Sequence, residues 1–375
     1  MLRKAYLIPQ RNKFFPNMFK VTIKPQWQLH APDGEPAPVR LIDLLVGIHE
    51  TGSLARACTR AQLSYRYAWG MLNHVQKALG ATLVTSTRGS GATLTALGEK
   101  LVWADKRISA RLSPLLDSLG SEIEVEFERV YAPSEAILRI QACHGFAVEL
   151  LHRELGRRNI ATDLKYRSTQ EVLASLARGN CDLAGLHVPV GDFEPAMLHQ
   201  YARQLRAGNF RVIDLTTRWQ GLMLARGNPK KIRGVGDLAH PGVRFVNRQI
   251  DSGTRTLFDL LLAKGDVDRR AIDGYEDGEF THAAVAAYVA SGMADAGFGI
   301  ETPAIRFGLD FIRLVQERYF FICPRSSFDN PEIDTVRTIL GSAEFRKTVN
   351  ALPGYNAKHC GRVLDLAESF PALNS

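Results

Sequence analysis

The polar side chains best suited to chemistry in the first half of the sequence lie on one segment, from Ser64 to Leu79. Ser64 can cap a helix there, and the apolar residues after it recur at helical spacing. The opposite face carries groups that can donate hydrogen bonds to phosphates or to base edges. These candidate DNA-contacting side chains are Tyr65, Arg66, Tyr67, Asn73 and Lys77.

A second short helix must lie next to this one for those side chains to reach a groove of DNA. Ser53 can cap a helix over residues 54–61, and Gln62 and Leu63 then fill a tight turn before Ser64. Two helices joined in this way have the geometry of a helix-turn-helix, and we count Ser53 and Ser64 among its DNA-binding residues. An ordinary helical hairpin with a solvated face has the same spacing and stays open as an alternative.

The residues after these helices predict a β-hairpin. Residues 81–84 are typical of a short strand, residues 87–91 of a flexible tip and residues 92–94 of the returning strand. Thr95 can then cap another helix. The hairpin would be a wing, with Arg88 placed at its tip to reach the DNA backbone or the minor groove.

These segments together resemble a known family. Residues 50–89, followed by ATLTALGEKL, resemble the winged helix of the ModE-type molybdate-responsive regulators and, more loosely, that of the LysR-type regulators. The most specific parts are the Gly-Ser opening at 52–53, Ser64-Tyr65-Arg66-Tyr67-Ala68-Trp69, and Leu94-Thr95-x-x-Gly98. The resemblance covers roughly residues 20–120 and implies binding to an operator in double-stranded DNA.

The distribution of charge agrees with that expectation. Residues 1–120 contain 16 Lys and Arg but only 7 Asp and Glu, whereas the rest of the chain contains 31 and 32. The net charge of +8 therefore comes from the part of the chain that contains the helix-turn-helix. Contacts with phosphates require such an excess of basic residues.

The segments flanking the winged helix have weaker patterns. Residues 21–29 alternate as in a strand. After the wing, apolar residues recur every three or four positions, which suits either dimerisation in the manner of a short coiled coil or simple core packing. Pro114 should end or kink this helix, with a linker after it up to Ser134. The apolar residues that recur are Leu97, Leu101, Ala104, Ile108, Leu112 and Leu115, and the first four are expected in a two-fold interface.

From residue 136 onward, short apolar runs alternate with helical segments, which is typical of an open parallel α/β sheet. Strands are predicted at 137–142, 182–186, 211–215, 222–225, 243–247, 294–299 and 311–315. Helices are predicted at 146–155, 170–177, 254–263 and 283–290.

Four of these helices should begin next to polar loops. Helix N-termini present free backbone amides and partial positive charge, which favour a small anion, although hydroxyl groups in such places also serve simply as caps. The most specific of the four is Ser252-Gly253-Thr254-Arg255, with Arg248 as a second charge partner. The other candidate ligand-binding residues are His144, Ser168, Thr169, Thr281 and His282.

This half also resembles a known family, the periplasmic-binding-protein-like domains found fused to winged helices and to molybdenum-cofactor proteins. The matching stretches, between about residues 136 and 345, include DLAGLHVP, RWQGLMLARGNPKKIRGVGDLAHPGVRFVNRQIDSGTRTL, THAAVAAYVASGMADAGFG and GLDFIRLVQERY. The resemblance implies a two-lobed fold that clamps a ligand in its cleft. Carried onto this chain, the ligand-facing candidates are His144, Ser168, Arg248, Ser252, Thr254, Arg255, Thr281 and His282. The chain departs from the family at two loops, Ala142-Cys143 and Ser168-Thr169, where small Gly-Ser and Gly pairs are usual.

Composition narrows the class of protein. No apolar run is long enough to span a membrane, and the basic N-terminus lacks the features of a secretory signal, with Met18 as an alternative start. The five cysteines are scattered without zinc-like spacing, which favours a reduced, cytoplasmic setting and no metal or cofactor. Cys143 beside His144 suggests a thiol nucleophile, but the sequence identifies no carboxylate to orient the histidine.

We therefore expect an α+β winged helix-turn-helix domain (1–95), a dimerisation helix with a linker (96–135), and a two-lobed α/β periplasmic-binding-protein-like domain of type II (136–375). The expected function is a homodimeric or higher-order DNA-binding transcription regulator that senses a small anion. Molybdate or tungstate is favoured, with formate, another carboxylate or a molybdenum-cofactor precursor as alternatives. An enzyme acting on a bound anion and a transport receptor are the alternatives of other classes. The lack of an acid, base or nucleophile set disfavours an enzyme.

Overall fold

The computed structural model describes residues 19–87, 91–131, 136–206 and 209–373. Its α-helices are α1 (Leu41–Thr51), α2 (Leu54–Ala61), α3 (Tyr65–Leu79), α4 (Ala96–Tyr131), α5 (Phe146–Arg157), α6 (Thr169–Ala177), α7 (Glu194–Leu205), α8 (Gly253–Lys264), α9 (His282–Ala290), α10 (Glu301–Arg306), α11 (Pro331–Gly341), α12 (Ala343–Asn350) and α13 (Leu366–Ser369). Its strands are β1 (Val84–Thr87), β2 (Gly91–Leu94), β3 (Leu138–Ala142), β4 (Thr162–Tyr166), β5 (Leu183–Pro189), β6 (Phe210–Leu224), β7 (Phe245–Arg248), β8 (Gly278–Glu279), β9 (Ala296–Ile300), β10 (Asp310–Pro324), β11 (Tyr355–Asn356) and β12 (Val363–Asp365).

The chain divides into two compact units. The first unit contains the described residues up to Ile23, Leu115–Thr217, and the described residues from Arg318 onward. The second unit contains Lys24–Pro114 and Arg218–Glu317. Three elements, α4, β6 and β10, contribute residues to both units. The domain boundaries at 95 and 135 stay a prediction.

In the second unit, α1, α2 and α3 share one apolar core with the antiparallel hairpin β1–β2. The buried faces of the helices carry the residues that the helical spacing predicts, such as Leu45, Ala57 and Leu72. Helices α1 and α2 approach closely at Gly47, where an added Cβ would lie 3.0 Å from the Cβ of Ala57. The expected pair of helices and a hairpin after it are therefore present, but the first strand of the hairpin is Val84–Thr87 rather than residues 81–84.

Helix α4 is longer than expected, because it does not end at Pro114. The helix continues to Tyr131, so the expected linker is helical as far as that residue. A proline has no amide hydrogen, which leaves the carbonyl of Ala110, four residues earlier, without its helical partner. The hydroxyl of Thr281 donates to this carbonyl at 2.8 Å. A side chain from α9 therefore supplies the hydrogen bond that the proline removes.

The apolar stripe proposed for dimerisation is also in a different environment from the one expected. Leu101 belongs to the core shared by α1–α3 and is only 9% exposed, and Ala104 and Ile108 are half-buried. Their spacing therefore reflects core packing over at least part of the stripe. Leu97 and Leu115, at the two ends of the apolar repeat, are exposed, and so is Leu119.

The rest of the second unit is a small α/β layer. Strand β9 lies between β6 and β7; it runs antiparallel to β6 and parallel to β7, and β8 continues the sheet parallel to β7. Helices α8 and α9 pack against these strands. The sheet is therefore mixed, and the expectation of a purely parallel sheet is wrong.

In the first unit, β3 pairs with β4 and β5 in parallel, and β12 pairs with β6 antiparallel. Strand β4 is at the edge of the sheet, and the serines of α4 satisfy its outward backbone groups. Ser121 Oγ donates to the carbonyl of Thr162 and accepts from the amide of Leu164, both at 2.8 Å. Ser118 Oγ accepts from the amide of Tyr166 at 3.0 Å.

The other differences from the sequence analysis have local reasons. Strand β4 was missed because its outward positions are charged, where Lys165 and Asp163 form a pair at 3.4 Å. Strand β6 is one strand of 15 residues rather than two strands, because Glu317 compensates the charge of Arg218 within it. Residues 21–29 form no strand; the only strand-like pairing in this region is an isolated bridge from His30 to Pro36.

Candidate functional site

The turn between α2 and α3 is built by its capping residues. Ser53 accepts from the amide of Arg56 at the start of α2, and Ser64 accepts from the amide of Tyr67 at 3.2 Å at the start of α3. Gln62 has a left-handed conformation, φ 51°, which reverses the chain between the helices. The two candidate serines therefore fix the helix starts, as their capping role requires.

The other candidate residues of α3 lie on one solvent-facing surface. Tyr65 and Tyr67 are 56% and 53% exposed, although large aromatic side chains are usually well buried. Arg66, Asn73 and Lys77 are exposed, and their side chains make no hydrogen bond or ion pair with the described residues. This surface is free to bind a partner rich in acceptors. Arg88, the candidate at the wing tip, lies outside the described residues.

Trp69, which the sequence analysis did not assign to DNA binding, shares this exposure at 44%. The side chain is one residue beyond Ala68, which is fully buried against the core of α1–α3. An exposed aromatic ring next to basic side chains can pack on a sugar or on a base. The solvent-facing surface of α3 therefore contains three aromatic side chains.

In the first unit, the candidate residues meet at the ends of β3 and β4. The imidazole Nε2 of His144 lies 2.8 Å from Oε1 of Glu149, and its ring contacts that of Tyr166. The structure thus provides the orienting carboxylate that sequence reasoning did not find. The thiol of Cys143, however, contacts the hydroxyl of Thr169, at 3.4 Å, and is 7% exposed.

The start of α6 already holds an anion of the chain itself. Ser168 and Glu171 form a reciprocal capping box, in which the Glu171 carboxylate accepts from the amide of Ser168 at 2.8 Å. This backbone hydrogen bond lowers the pKa of Glu171. Since the carboxylate occupies the favourable position at the helix terminus, Ser168 acts here as a cap.

In the second unit, Ser252 caps α8, accepting from the amide of Arg255 at 3.1 Å and donating to Gln249. Gly253 and Thr254 follow as the first helical residues, and both are buried. The first turn of α8 contains no acidic residue. This helix start therefore keeps its positive potential, in contrast to that of α6.

The two arginines near α8 are bound within the protein. Arg248 donates from Nη2 to the carbonyl of Phe280 at 2.8 Å. Arg255 is 4% exposed; its guanidinium carbon lies 3.9 Å from the centre of the Tyr275 ring, and its Nη2 lies 3.4 Å from Glu276. Arg255 therefore has a clear structural role in the second unit.

The fourth predicted helix start connects α9 to α4. Thr281 caps α9 through the amide of Ala284 and donates to Ala110, as described above. An ion pair next to it also joins α4 to this region: Nε of Arg111 donates to Oε2 of Glu279 at 2.8 Å. Nδ1 of His282 accepts from the amide of Ile300. The polar groups predicted to hold a ligand here thus also join parts of the second unit.

Sequence reasoning missed a buried polar cluster of the second unit. Arg218 and Gln220 both donate to the carboxylate of Glu317, and all three side chains are at most 1% exposed. These residues lie within apolar strands, where an arginine, a glutamine and a glutamate stand out. All three lie just outside the strand runs predicted from the sequence, and only the longer observed strands β6 and β10 include them.

The described residues were compared with the requirements for a membrane-spanning helix and for a metal site. No helix among the described residues is long and apolar enough to cross a membrane. Within the same residues, no group of three or more His, Cys, Asp or Glu side chains could hold a metal ion. All five cysteines are described, and each is a buried free thiol.

Known proteins show partial matches to this chain. It is 33% identical over 202 residues to the uncharacterized protein YvgK of Bacillus subtilis, a match covering 53% of this chain and 64% of YvgK, so less than two thirds of that relative is spanned. It is 35% identical over 89 residues to the molybdenum-pterin-binding protein MopB of Rhodobacter capsulatus, which covers 23% of this chain and 33% of MopB. The structure of CbnR, a LysR family transcriptional regulator, aligns over 79% of this chain and 97% of CbnR, with 15% identity and a TM-score of 0.37.

The PBP superfamily domain matches residues 149–341, which is the region where the sequence predicted a periplasmic-binding-protein-like fold. Because this domain occupies more than half of the sequence, the chain belongs to the PBP superfamily.

Proposed function

We propose that this protein is a ligand-responsive, DNA-binding transcription regulator. The observation that carries the proposal is the solvent-facing surface of α3, where Arg66, Asn73 and Lys77 have no partner among the described residues. In this interpretation α1–α3 and the hairpin β1–β2 form a winged helix-turn-helix of the ModE or LysR type. Helix α3 then lies in the major groove of a double-stranded operator, and Arg88 contacts the DNA from the wing.

The test is selection of bound duplexes from a random-sequence DNA pool, followed by fluorescence anisotropy with the selected duplex. We expect a sequence-specific complex that weakens linearly with the logarithm of salt concentration. A variant with Arg66, Asn73 and Lys77 all changed to alanine should lose specific binding while keeping its melting temperature. A wild-type protein that enriches no sequence from the pool would contradict the proposal.

We also propose that the protein acts as a homodimer or higher homo-oligomer, since the two half-sites of an operator are bound by two DNA-binding domains. Leu115 and Leu119 are exposed one helical turn apart on α4, at 52% and 41%. Leu119→Asp should yield monomers in light scattering, whereas Glu122→Asp on the same helix should not. A charge at Leu101 would not test the interface, because Leu101 is a core residue. An unaltered oligomer in Leu119→Asp would place the interface elsewhere.

For the effector we propose a small anion, with molybdate or tungstate favoured. Two arguments support this choice: the start of α8 lacks an acidic residue, and the chain is related to a protein named for binding a molybdenum-pterin. The amides of Gly253 and Thr254 would bind the anion, and the hydroxyl of Ser252 would turn its proton from the carbonyl of Gln249 to the anion. Arg248 and Arg255 would add positive potential rather than direct contacts.

Calorimetric titration with molybdate, tungstate, sulfate and formate tests this proposal. Ser252→Gly removes the hydroxyl but keeps a residue accepted at a helix N-cap, at a cost of a few tenths of a kcal/mol. We expect this variant to bind the anion about tenfold more weakly, because a charge-assisted hydrogen bond contributes roughly 1.5–3 kcal/mol. Ser168→Gly, at a helix start filled by Glu171, is the matched control and should leave binding unchanged.

A further inference from the structure

A second cluster of charge lies in the first unit, where two arginines converge on one carboxylate. Nε of Arg318 donates to Oδ1 of Asp214 at 2.6 Å, and Nε of Arg362 donates to Oδ2 at 2.8 Å. The carboxylate of Asp214 is 4% exposed. One negative charge can offset only one of the two positive charges, so the three groups together keep a charge of +1.

A small cavity adjoins these groups. Its volume is about 30 Å³, and besides the two arginines and Asp214 its lining includes Thr217, Asn356 and His359. A cavity needs roughly 10–15 Å³ to hold one water molecule, so this one has room for two or three waters or for part of one small ion. The lining combines guanidinium, hydroxyl, amide and imidazole groups with a single carboxylate.

The backbone holds this lining in place. The amide of Asp214 donates to the carbonyl of Arg362 at 2.9 Å, and the amide of Gly361 donates to the carbonyl of Asp214 at 2.8 Å. The hydroxyl of Thr216 donates to the carbonyl of Asn356 at 3.0 Å. The segment that carries Asn356, His359 and Arg362 is therefore fixed to β6 at both ends, and the site needs little reorganisation to bind a ligand.

Arg318 and Arg362 differ in how many of their hydrogen-bond donors remain for a ligand. Nη2 of Arg318 already donates to Ser369 at 2.8 Å, and Glu194, whose pKa is raised by burial, lies within electrostatic range of the same guanidinium. The side chain of Arg362 is 47% exposed, and only its Nε has a partner among the described residues. Its terminal NH₂ groups are therefore the donors with capacity for a ligand.

We propose that one tetrahedral oxyanion of the phosphate or sulfate class binds at the mouth of this cavity, with only part of the ion inside it. The terminal NH₂ groups of Arg362 and the hydroxyl of Thr217 bind its oxygens, and His359 also lines the cavity. Such an anion neutralises the excess charge of the Arg318–Asp214–Arg362 cluster. The site shares no residue with the effector site proposed at the start of α8, so either can exist without the other.

Calorimetric titration of the full chain with inorganic phosphate and with sulfate tests the inference. Arg362→Ala should weaken binding by one to two orders of magnitude, the equivalent of one lost charge-assisted hydrogen bond. Lys347→Ala, an exposed cation of the same unit, is the control and should bind as the wild type does. Thr217→Val should give a smaller loss, and it serves where Arg362→Ala alters the melting temperature.

The outcomes separate this site from the effector site. If both sites bind phosphate, Arg362→Ala should remove one of two sites and Ser252→Gly should weaken the other. Glycerol phosphate in place of inorganic phosphate shows whether the anion is free or a monoester, since a monoester must extend out of so small a cavity. A wild-type protein that binds neither anion, or an Arg362→Ala variant with wild-type stoichiometry and affinity, would overturn the inference.

Discussion

Helices α3 and α8 begin in the same way and lie in opposite environments. Each starts after a capping serine, Ser64 or Ser252, and each carries an arginine within its first turn, Arg66 or Arg255. Arg66 is exposed and has no partner among the described residues, whereas Arg255 is 4% exposed and packs on Tyr275. The same local sequence pattern therefore contains an arginine that can bind a partner in α3 and an arginine that stabilises the fold in α8.

A capping serine followed by an arginine therefore predicts a helix start and not a binding site. Helix α3 packs one face on the core of α1 and α2 and leaves the other in solvent. The α8 arginine instead lies under the segment that carries Tyr275 and Glu276. Whether such an arginine is buried by a segment distant in the sequence decides its role. Variants of the buried and of the exposed arginine should therefore differ in their effects on stability and on binding.

The largest effect is expected for Arg255→Ala. The change removes a buried guanidinium from Tyr275, from the carbonyl of Arg248 and from Glu276. We expect the free energy of unfolding, measured in urea, to fall by about 2–4 kcal/mol. The exposed Arg226→Ala is the control in the same unit and should change it by less than about 0.5 kcal/mol. An Arg255→Ala variant as stable as the control would remove the contrast between the two helices.

His152 of the first unit gives a second test of how burial changes the properties of a basic side chain. Burial, with a smaller contribution from Lys20, lowers its pKa to about 4 from an ordinary value near 6.5. Between these two values the unfolded chain binds a proton that the folded chain does not, so stability falls as the pH drops from about 6.5 to 4. The loss should reach about 3 kcal/mol at pH 4 and should be absent in His152→Gln. Equal slopes of unfolding free energy against pH in the two proteins would contradict this.

Thr281→Val tests a hydroxyl that serves two helices. The variant loses the cap of α9 and leaves the carbonyl of Ala110 without a donor, so we expect a loss of about 1–3 kcal/mol. In a Pro114→Ala background the new amide can bond Ala110 itself, and the same change should cost about 1 kcal/mol less. Additive effects of the two changes in a double-mutant cycle would show that Thr281 does not compensate for Pro114.

The smallest effect on the folded protein is expected for Arg66→Ala, which should leave the melting temperature unchanged. Its effect should appear in DNA binding, where affinity for the selected duplex should fall about tenfold and the salt dependence should flatten by about one unit of slope. Arg226→Ala is again the matched control. A variant with the affinity and salt slope of wild type would place the DNA-binding surface outside α3.

Local features of the fold were predictable where one face of an element is apolar. The spacing of Leu72 and Val75 places α3 on its core, and the capping serines mark the starts of α2, α3 and α8 within one residue. The continuation of α4 was not predictable, because the donor that replaces the amide of Pro114 comes from Thr281, far away in the sequence. Strand β4 was missed since its charges compensate each other only once the strand has formed.

Among the candidate site residues, too, features set by one helix were predictable and features set by tertiary contacts were not. Exposure of Arg66 and Lys77 follows from the periodicity of a single helix, which the sequence contains. The partners of Arg255 and Arg248 are set by tertiary packing, which local spacing does not encode. The capping box at Ser168 was readable in principle, since a glutamate stands three residues after the serine.

The bond between Thr281 and Ala110 has a consequence for how this sequence can change over generations. An unbroken α4 with Pro114 is more stable while residue 281 carries a hydroxyl, so a change at either position alters the cost of a change at the other. A lineage that replaces the proline first relaxes the requirement at 281, whereas one that loses the hydroxyl first exposes a carbonyl inside a helix. Relatives of this chain should therefore pair proline at position 114 with threonine or serine at position 281.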